Sequence, residues 1–155
     1  MEKRYYIAYG SNLNVRQMLR RCPGARVLGT AVLTGWELLF KGSGTGSYLT
    51  IEECEDGIVP VVVWEVTASD EAALDRYEGF PNFYYKRDIQ LKYKGIRTGK
   101  HRTVTAFAYI MHEDRLVGVP SNFYMRTCLD GYNTFRFNKN ILIDAYNKCW
   151  EVCGY

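Results

Sequence analysis

Glu78 stands in the last turn of the helix expected over "DEAALDRYEG", where the negative end of the helix dipole opposes a carboxylate. It follows Leu74 by one turn on the same face. If Leu74 faces the core, Glu78 points toward apolar surroundings that include Tyr77, Phe80 and Phe83, and both desolvation and the dipole raise its pKa. A carboxyl held in that way can take up and return a proton near neutral pH. The competing reading is a surface glutamate paired with Arg76, Lys86 or Arg87, and the local pattern leaves the two open.

A second candidate is the stretch "YYIAYGSNLN", which begins as a buried strand and turns abruptly into small polar residues. Gly10 lets backbone approach a ligand closely, and successive N–H groups ahead of a helix attract anions. An ordinary turn would read the same. Ser11 as a nucleophile fits poorly, because an elbow needs Gly-x-Ser-x-Gly where this chain has Ala8-Tyr9-Gly10-Ser11-Asn12, and the base would have to come from His101 or His112. The glycine-rich "KGSGTGS" (41 to 47) lacks the Gly-Lys-Ser/Thr ending of a phosphate loop and precedes a strand, so it reads as a flexible hairpin tip able to cover a pocket. Cys22, Cys54, Cys128, Cys149 and Cys153 contain no C-x-x-C pair and read as reduced structural thiols with no metal site.

The elements that must position these residues follow from periodicity and punctuation. Residues 4 to 9 form a strand, and Asn14 with Gln17 begins a helix over "VRQMLRRC" that stops at Pro23-Gly24. Strands are expected over 26 to 40, over "YLTIEE", and over "IVPVVVWEV" (58 to 66), which reads as a central strand with Pro60 near its start. Thr67 or Ser69 caps the helix that carries Glu78, and Gly79 with Pro81 ends it. "FYYKRDIQLKY" and "TVTAFAYIM" add two strands joined by the polar "KGIRTGKHR", and two helices follow Pro120, the last with Ile141, Ala145 and Cys149 on one face. About six strands and four helices make an α+β fold whose mixed sheet can close into a small β-barrel.

Bulk properties narrow the function classes. The chain of 155 residues, 47% hydrophobic and 24% charged, is expected to be one domain over 1–155 rather than a disordered segment. Its 20 basic and 17 acidic residues are scattered, with no basic tract, so nucleic acid is not implied. No stretch approaches the roughly 20 apolar residues that span a bilayer, and the first residues lack a signal peptide's pattern, so no membrane partner and a cytoplasmic location are expected.

In their order and spacing, "YYIAYGSNL", "LDRYEGFPNFYYKRDI", "AFAYIM" and "PSNFY" resemble the γ-glutamylcyclotransferase-like superfamily, which includes the AIG2-like proteins. The resemblance covers most of the chain. It implies a small mixed β-barrel flanked by helices, with the Tyr-Gly-Ser loop and a glutamate facing one cavity. Carried over by position, Tyr6, Ile7, Ala8, Tyr9, Gly10 and Ser11, completed by Asn12 and Leu13, would hold a γ-glutamyl group. Glu78 would be the acid/base, Tyr124 a substrate-contacting tyrosine and Tyr109 a further pocket residue.

The reaction so implied is closure of a γ-glutamyl amine or amino acid to 5-oxoproline, with expulsion of the amine or amino acid and no cofactor. "YEGFPNFYYKR" resembles the γ-glutamylamine-acting and uncharacterised bacterial AIG2-like branches as much as the dipeptide-acting enzymes, and Asn12 departs from the Tyr-Gly-Ser-Leu of the glutathione-specific branch. A non-catalytic binding module for a small γ-glutamyl or carboxylate ligand, and a γ-glutamyl hydrolase, remain as alternatives. The leaving group, whose contacts are expected from loops 41 to 47 and 94 to 102, stays open, as does the oligomeric state.

Overall fold

A computed structural model describes residues 3–43 and 46–154, which form six strands, a 3₁₀ turn and four helices. Gly44 and Thr45, at the centre of the expected hairpin tip, lie outside the described residues. Strand β1 (Lys3–Ala8) runs antiparallel to β3 (Gly46–Thr67) and parallel to β5 (His101–Met111), so Tyr6 is registered with Trp64 on one side and Phe107 on the other. Strand β4 (Tyr84–Gly95) pairs with β5 from Tyr84↔Met111 to Lys94↔His101. Strand β2 (Arg26–Ser43) forms a long hairpin with β3 and also meets β4 at Gly29↔Gly95 and Thr30↔Lys94. The order β3-β1-β5-β4-β2, with β2 returning to β3, curls the sheet into the small barrel-like form expected, and β6 (Leu116–Val117) extends it beside β2.

The strand division differs from the sequence reading at one place. "YLTIEE" and "IVPVVVWEV" belong to the single strand β3, because β2 pairs with both: residues 54–57 bulge out of register between Trp36↔Glu53 and Thr34↔Ile58, and the ladder resumes on either side. The count still reaches six because the two-residue β6 was not legible from pattern. The expected central strand does lie between β1 and β2, with Val61, Val62, Val63 and Trp64 fully buried. Pro60 precedes the β1 ladder, which begins at Val62, so its missing N–H removes no bond to β1.

Helix α1 (Val15–Arg21) starts at Asn14, whose side chain accepts from the Gln17 N–H at 3.1 Å. Thr67 rather than Ser69 caps α2 (Ala68–Glu78) in a reciprocal box with Asp70, and Gly79 ends that helix in the left-handed conformation at φ 64°. Helices α3 (Asn122–Thr134) and α4 (Lys139–Val152) follow Pro120; on α4 it is Leu142, with Ala145 and Cys149, that is buried, while Ile141 is only partly covered. None of the described helices is long and apolar enough to cross a membrane.

Helix α3 lies directly against the 3₁₀ turn that follows β1. A Cβ at Gly131 would come within 2.4 Å of the Leu13 Cβ and 2.7 Å of the Leu13 backbone carbon, so glycine is needed for the two segments to touch. Gly131→Ala is expected to destabilise the protein by roughly 1–3 kcal/mol through overpacking, read as a lower midpoint in urea with an unchanged m-value.

Candidate active site

Strand β1 stops at Ala8, and the chain leaves the sheet through Tyr9 and Gly10 into the 3₁₀ turn Ser11–Leu13. The N–H groups of Ser11 and Asn12 find no acceptor among the described residues, so this turn presents backbone donors. The packing reason for Gly10 is local: a Cβ there would sit 3.3 Å from the Tyr124 hydroxyl and 3.4 Å from the Leu49 side chain.

The turn borders a cavity of about 210 Å³. Of the sequence candidates, Tyr6, Tyr9, Gly10, Ser11, Asn12, Glu78, Tyr109 and Tyr124 line it together. Ile7, Ala8 and Leu13 do not: they are buried in the core, Ile7 and Ala8 along β1 and Leu13 against Gly131. Tyr48, Leu49, Tyr77, Phe83 and Tyr84 complete the lining without having been singled out as ligand-binding. The aromatic run "FYY" beside Glu78 was their one sequence signal, and the return of β3 past the turn could not be read locally. Loop 94 to 102 lies at the far end of β4 and does not reach this cavity, contrary to expectation, because β4 runs antiparallel to β5 along its length and carries that loop away.

The tyrosines are fixed by their hydroxyls. Tyr9 donates to the Tyr109 carbonyl at 2.6 Å, Tyr84 donates to the Leu49 carbonyl at 2.8 Å, and Tyr124 accepts from the Leu49 N–H at 3.0 Å. Tyr109 in turn donates to Asp75 at 2.5 Å. Tyr48 stands edge-on to Tyr124, with ring centroids 5.2 Å apart. Burial first, and then the nearby Glu78 charge, push the Tyr6, Tyr9 and Tyr84 hydroxyls far above their ordinary range, so at neutral pH they are protonated donors.

Glu78 is different in kind. Leu74 one turn before it is fully buried, and Glu78 itself borders the cavity as the last residue of α2. Two of the three cations of the surface reading are engaged elsewhere, Lys86 with Glu71 at 2.6 Å and Asp75 at 2.9 Å, and Arg87 with Glu53 at 2.8 Å, and Arg76 makes no ion pair with Glu78 among the described residues. Among the described residues no hydrogen bond or ion pair reaches the Glu78 carboxylate, and it is the only acidic or basic side chain lining the cavity. The residue as a whole keeps some accessible surface where it opens to the cavity, yet desolvation of its carboxyl pushes the pKa from 4.5 up to about 8 against a smaller opposing pull from Arg21.

Arg21 links the two halves of the site from behind. Its guanidinium donates to Asn12 Oδ1 and lies 3.4 Å from the centroid of the Tyr77 ring, next to Glu78 in sequence. Asn12 passes the connection on by donating to the Tyr6 hydroxyl at 2.9 Å, and Ser11 and Tyr77 share a hydrogen bond of 3.0 Å. Thus the turn after β1 and the last turn of α2 are tied through side chains as well as through the cavity between them.

Residues 6–126 match the family model described as gamma-glutamyl cyclotransferase, AIG2-like. No curated protein matches the sequence. A solved structure described as gamma-glutamyl cyclotransferase is similar at 26% identity over 96% of this chain and 86% of that one, with a TM-score of 0.72. A protein from Homo sapiens described as uncharacterized is 26% identical over 96% of this chain and 87% of its own, with a TM-score of 0.71. YkqA from Bacillus subtilis, at 20% identity, shares the fold over 95% of this chain with a TM-score of 0.73, and this chain spans 55% of its length.

Two consequences of the Glu78 environment can be measured without substrate. Its folded-state pKa is raised, so the stability it contributes is present below about pH 4.5 and is lost as pH rises toward 8. The difference in unfolding free energy between Glu78→Gln and the unmodified chain should therefore shift by a few kcal/mol in favour of the glutamine variant between those pH values. Arg21→Met removes the nearby cation and should move the Glu78 titration further up, by up to about one pH unit, in the ¹³C spectrum of glutamate-labelled protein. A downward or absent shift would contradict this electrostatic assignment.

Proposed function

The chain belongs to the gamma-glutamyl cyclotransferase, AIG2-like family, and on that premise we propose that it closes a γ-glutamyl amine or γ-glutamyl amino acid to 5-oxoproline, with Glu78 as general acid and base. The observation that carries this reading is the Glu78 carboxyl, without a hydrogen-bond partner among the described residues and with its pKa pushed up to about 8, on the same cavity as the Gly10–Ser11 turn.

The substrate brings its own nucleophile. Its α-amine is mostly protonated at neutral pH, and Glu78, with its pKa raised to about 8, is a far better acceptor for that proton than an ordinary carboxylate. An arriving ammonium also brings a cation into a cavity lined by no basic side chain among the described residues. The free amine then attacks the γ-carbonyl carbon, and a C–N bond closes the five-membered ring. Protonated Glu78 gives its proton to the departing nitrogen as the old C–N bond breaks, and the again ionised carboxylate then carries the ring nitrogen's second proton to the released amine, leaving the lactam N–H and an ammonium.

The rest of the cavity supplies orientation and charge stabilisation. The unsatisfied N–H groups of the turn at Ser11 and Asn12 suit the α-carboxylate or the oxyanion of the tetrahedral intermediate. The fixed tyrosines shape a wall that folds the glutamyl chain onto itself and excludes water, and for a tethered nucleophile such positioning supplies much of the acceleration. Exclusion of water also favours cyclisation over hydrolysis.

Incubation with a panel of γ-glutamyl amines and γ-glutamyl amino acids should yield 5-oxoproline and one free amine or amino acid per turnover. Glu78→Gln should lower kcat at least about 100-fold. Release of free glutamate instead of 5-oxoproline would identify a hydrolase, and saturable binding with no product a binding module; undiminished turnover in Glu78→Gln would remove Glu78 from the chemistry. The kcat/KM of the active protein should rise with pH toward about 8 as Glu78 ionises, and fall at higher pH as the substrate ammonium, the source of the proton that Glu78 passes on, is lost.

A further inference from the structure

The basic residues are scattered in sequence, but folding gathers several of them at the end of the barrel away from the tyrosine cavity. Arg26 opens β2, Arg97 and Lys100 come from the turn between β4 and β5, and His101 and Arg102 open β5. Together they line a groove of about 590 Å³ in which no carboxylate takes part among the described residues. Strand β4 has Tyr84 at the cavity and Gly95 at the groove, and at about 3.3 Å per residue the two lie roughly 35 Å apart along the strand.

The groove is charged and ordered at once. Arg26 is paired with Glu65 at 3.1 Å, whereas Arg97, Lys100 and Arg102 have no ion pair among the described residues. The turn that holds Arg97 and Lys100 is closed on itself by Gly95 N–H to the Lys100 carbonyl at 2.8 Å and Gly99 N–H to the Gly95 carbonyl at 2.9 Å. Ile96 N–H anchors it to β2 through the Leu28 carbonyl at 2.9 Å, and Thr98 Oγ1 accepts from the Lys100 N–H at 3.1 Å. Bringing like charges together on a fixed turn costs repulsion that a bound polyanion relieves, and the fixed geometry lowers the ordering cost of binding.

We propose that this groove is a binding site for a small ligand carrying two or more phosphate groups. Arginines enter the lining from two elements, Arg26 from β2 and Arg97 from the turn, so a ligand with several anionic groups can engage both. Guanidinium forks match phosphate oxygens, and the volume is that of a small-molecule site. A nucleic acid is less suited: the cations are confined to one end of the barrel, and Tyr93 in the groove is 6% exposed and offers no face for base stacking. The proposal is independent of the chemistry in the tyrosine cavity.

Titration calorimetry of the full chain with tripolyphosphate tests it. Saturable one-to-one binding is expected, weakened at least about tenfold on going from roughly 50 to 300 mM salt. Arg97→Glu/Lys100→Glu should weaken it by at least about tenfold as well, whereas Glu78→Gln should bind unchanged. If the charge-reversed variant fails to fold, Arg97→Gln/Lys100→Gln, checked by its melting curve, decides the matter through the same loss. The proposal is overturned by absence of saturation at about 5 mM tripolyphosphate, by equal affinity in a folded variant, by loss of binding in Glu78→Gln, or by tighter binding of a single-stranded RNA than of tripolyphosphate.

Discussion

A carboxyl with no hydrogen-bond partner among the described residues is held at the C-terminal end of a helix, mostly removed from solvent and bordering a cavity. Removing Glu78 from solvent opposes its ionisation, the helix dipole adds to the opposition, and no cation lines the cavity to offset either. Such a group persists only where the surrounding packing leaves it no other place to go. Here the anchors are the fully buried Leu74 one turn earlier and the left-handed Gly79 immediately after, which together set the direction in which Glu78 projects.

The cavity opposite that carboxyl is assembled from ends of strands rather than from any one segment. Tyr6 and Tyr9 come from β1 and its exit, Tyr48 and Leu49 from the start of β3, Tyr84 from the start of β4, and Tyr109 from the end of β5. Tyr9 and Tyr84 spend their hydroxyls on the backbone of neighbouring strands, at Tyr109 and Leu49, and Tyr6 and Tyr109 on the side chains of Asn12 and Asp75, so the rings are both wall and staple. Arg21 completes the enclosure from outside, joined to Asn12 on one side and seated over Tyr77 on the other. In the proposed reaction this rigidity is what folds a flexible glutamyl chain toward its own carbonyl.

The sheet also separates two chemically unlike ends. Strands β4 and β5 lead from a tyrosine-lined cavity holding one acid to a groove lined by arginine and lysine. Their antiparallel pairing over nearly the full length of both strands makes this separation a property of the register, since any loop joining them must emerge at the far end from Tyr84. The loop expected from its sequence position to contact a substrate is for that reason found at the basic end.

What the sequence determined by itself was local. The cap at Asn14, a cap at Thr67 or Ser69, the end of α2 at Gly79 and the strand identity of β1, β4 and β5 follow from propensities and spacing that act within a few residues, whereas the local pattern leaves Glu78 open between a cavity and a surface position. The motifs of the loop and the glutamate were likewise sufficient to point to the family. Tertiary structure alone decided which residues meet. Ile7, Ala8 and Leu13 belong to the loop motif yet are buried in the core, while Tyr48, Leu49 and Tyr84 enter the cavity because β3 and β4 return past the end of β1. The polar run between the two halves of β3 read as a break, and it does leave the register with β2 as a bulge, but β2 pairs with the strand on both sides of it. Side-chain character is written residue by residue, whereas register and strand return depend on hydrogen bonds between positions far apart in the chain, and these create both the cavity and the basic groove.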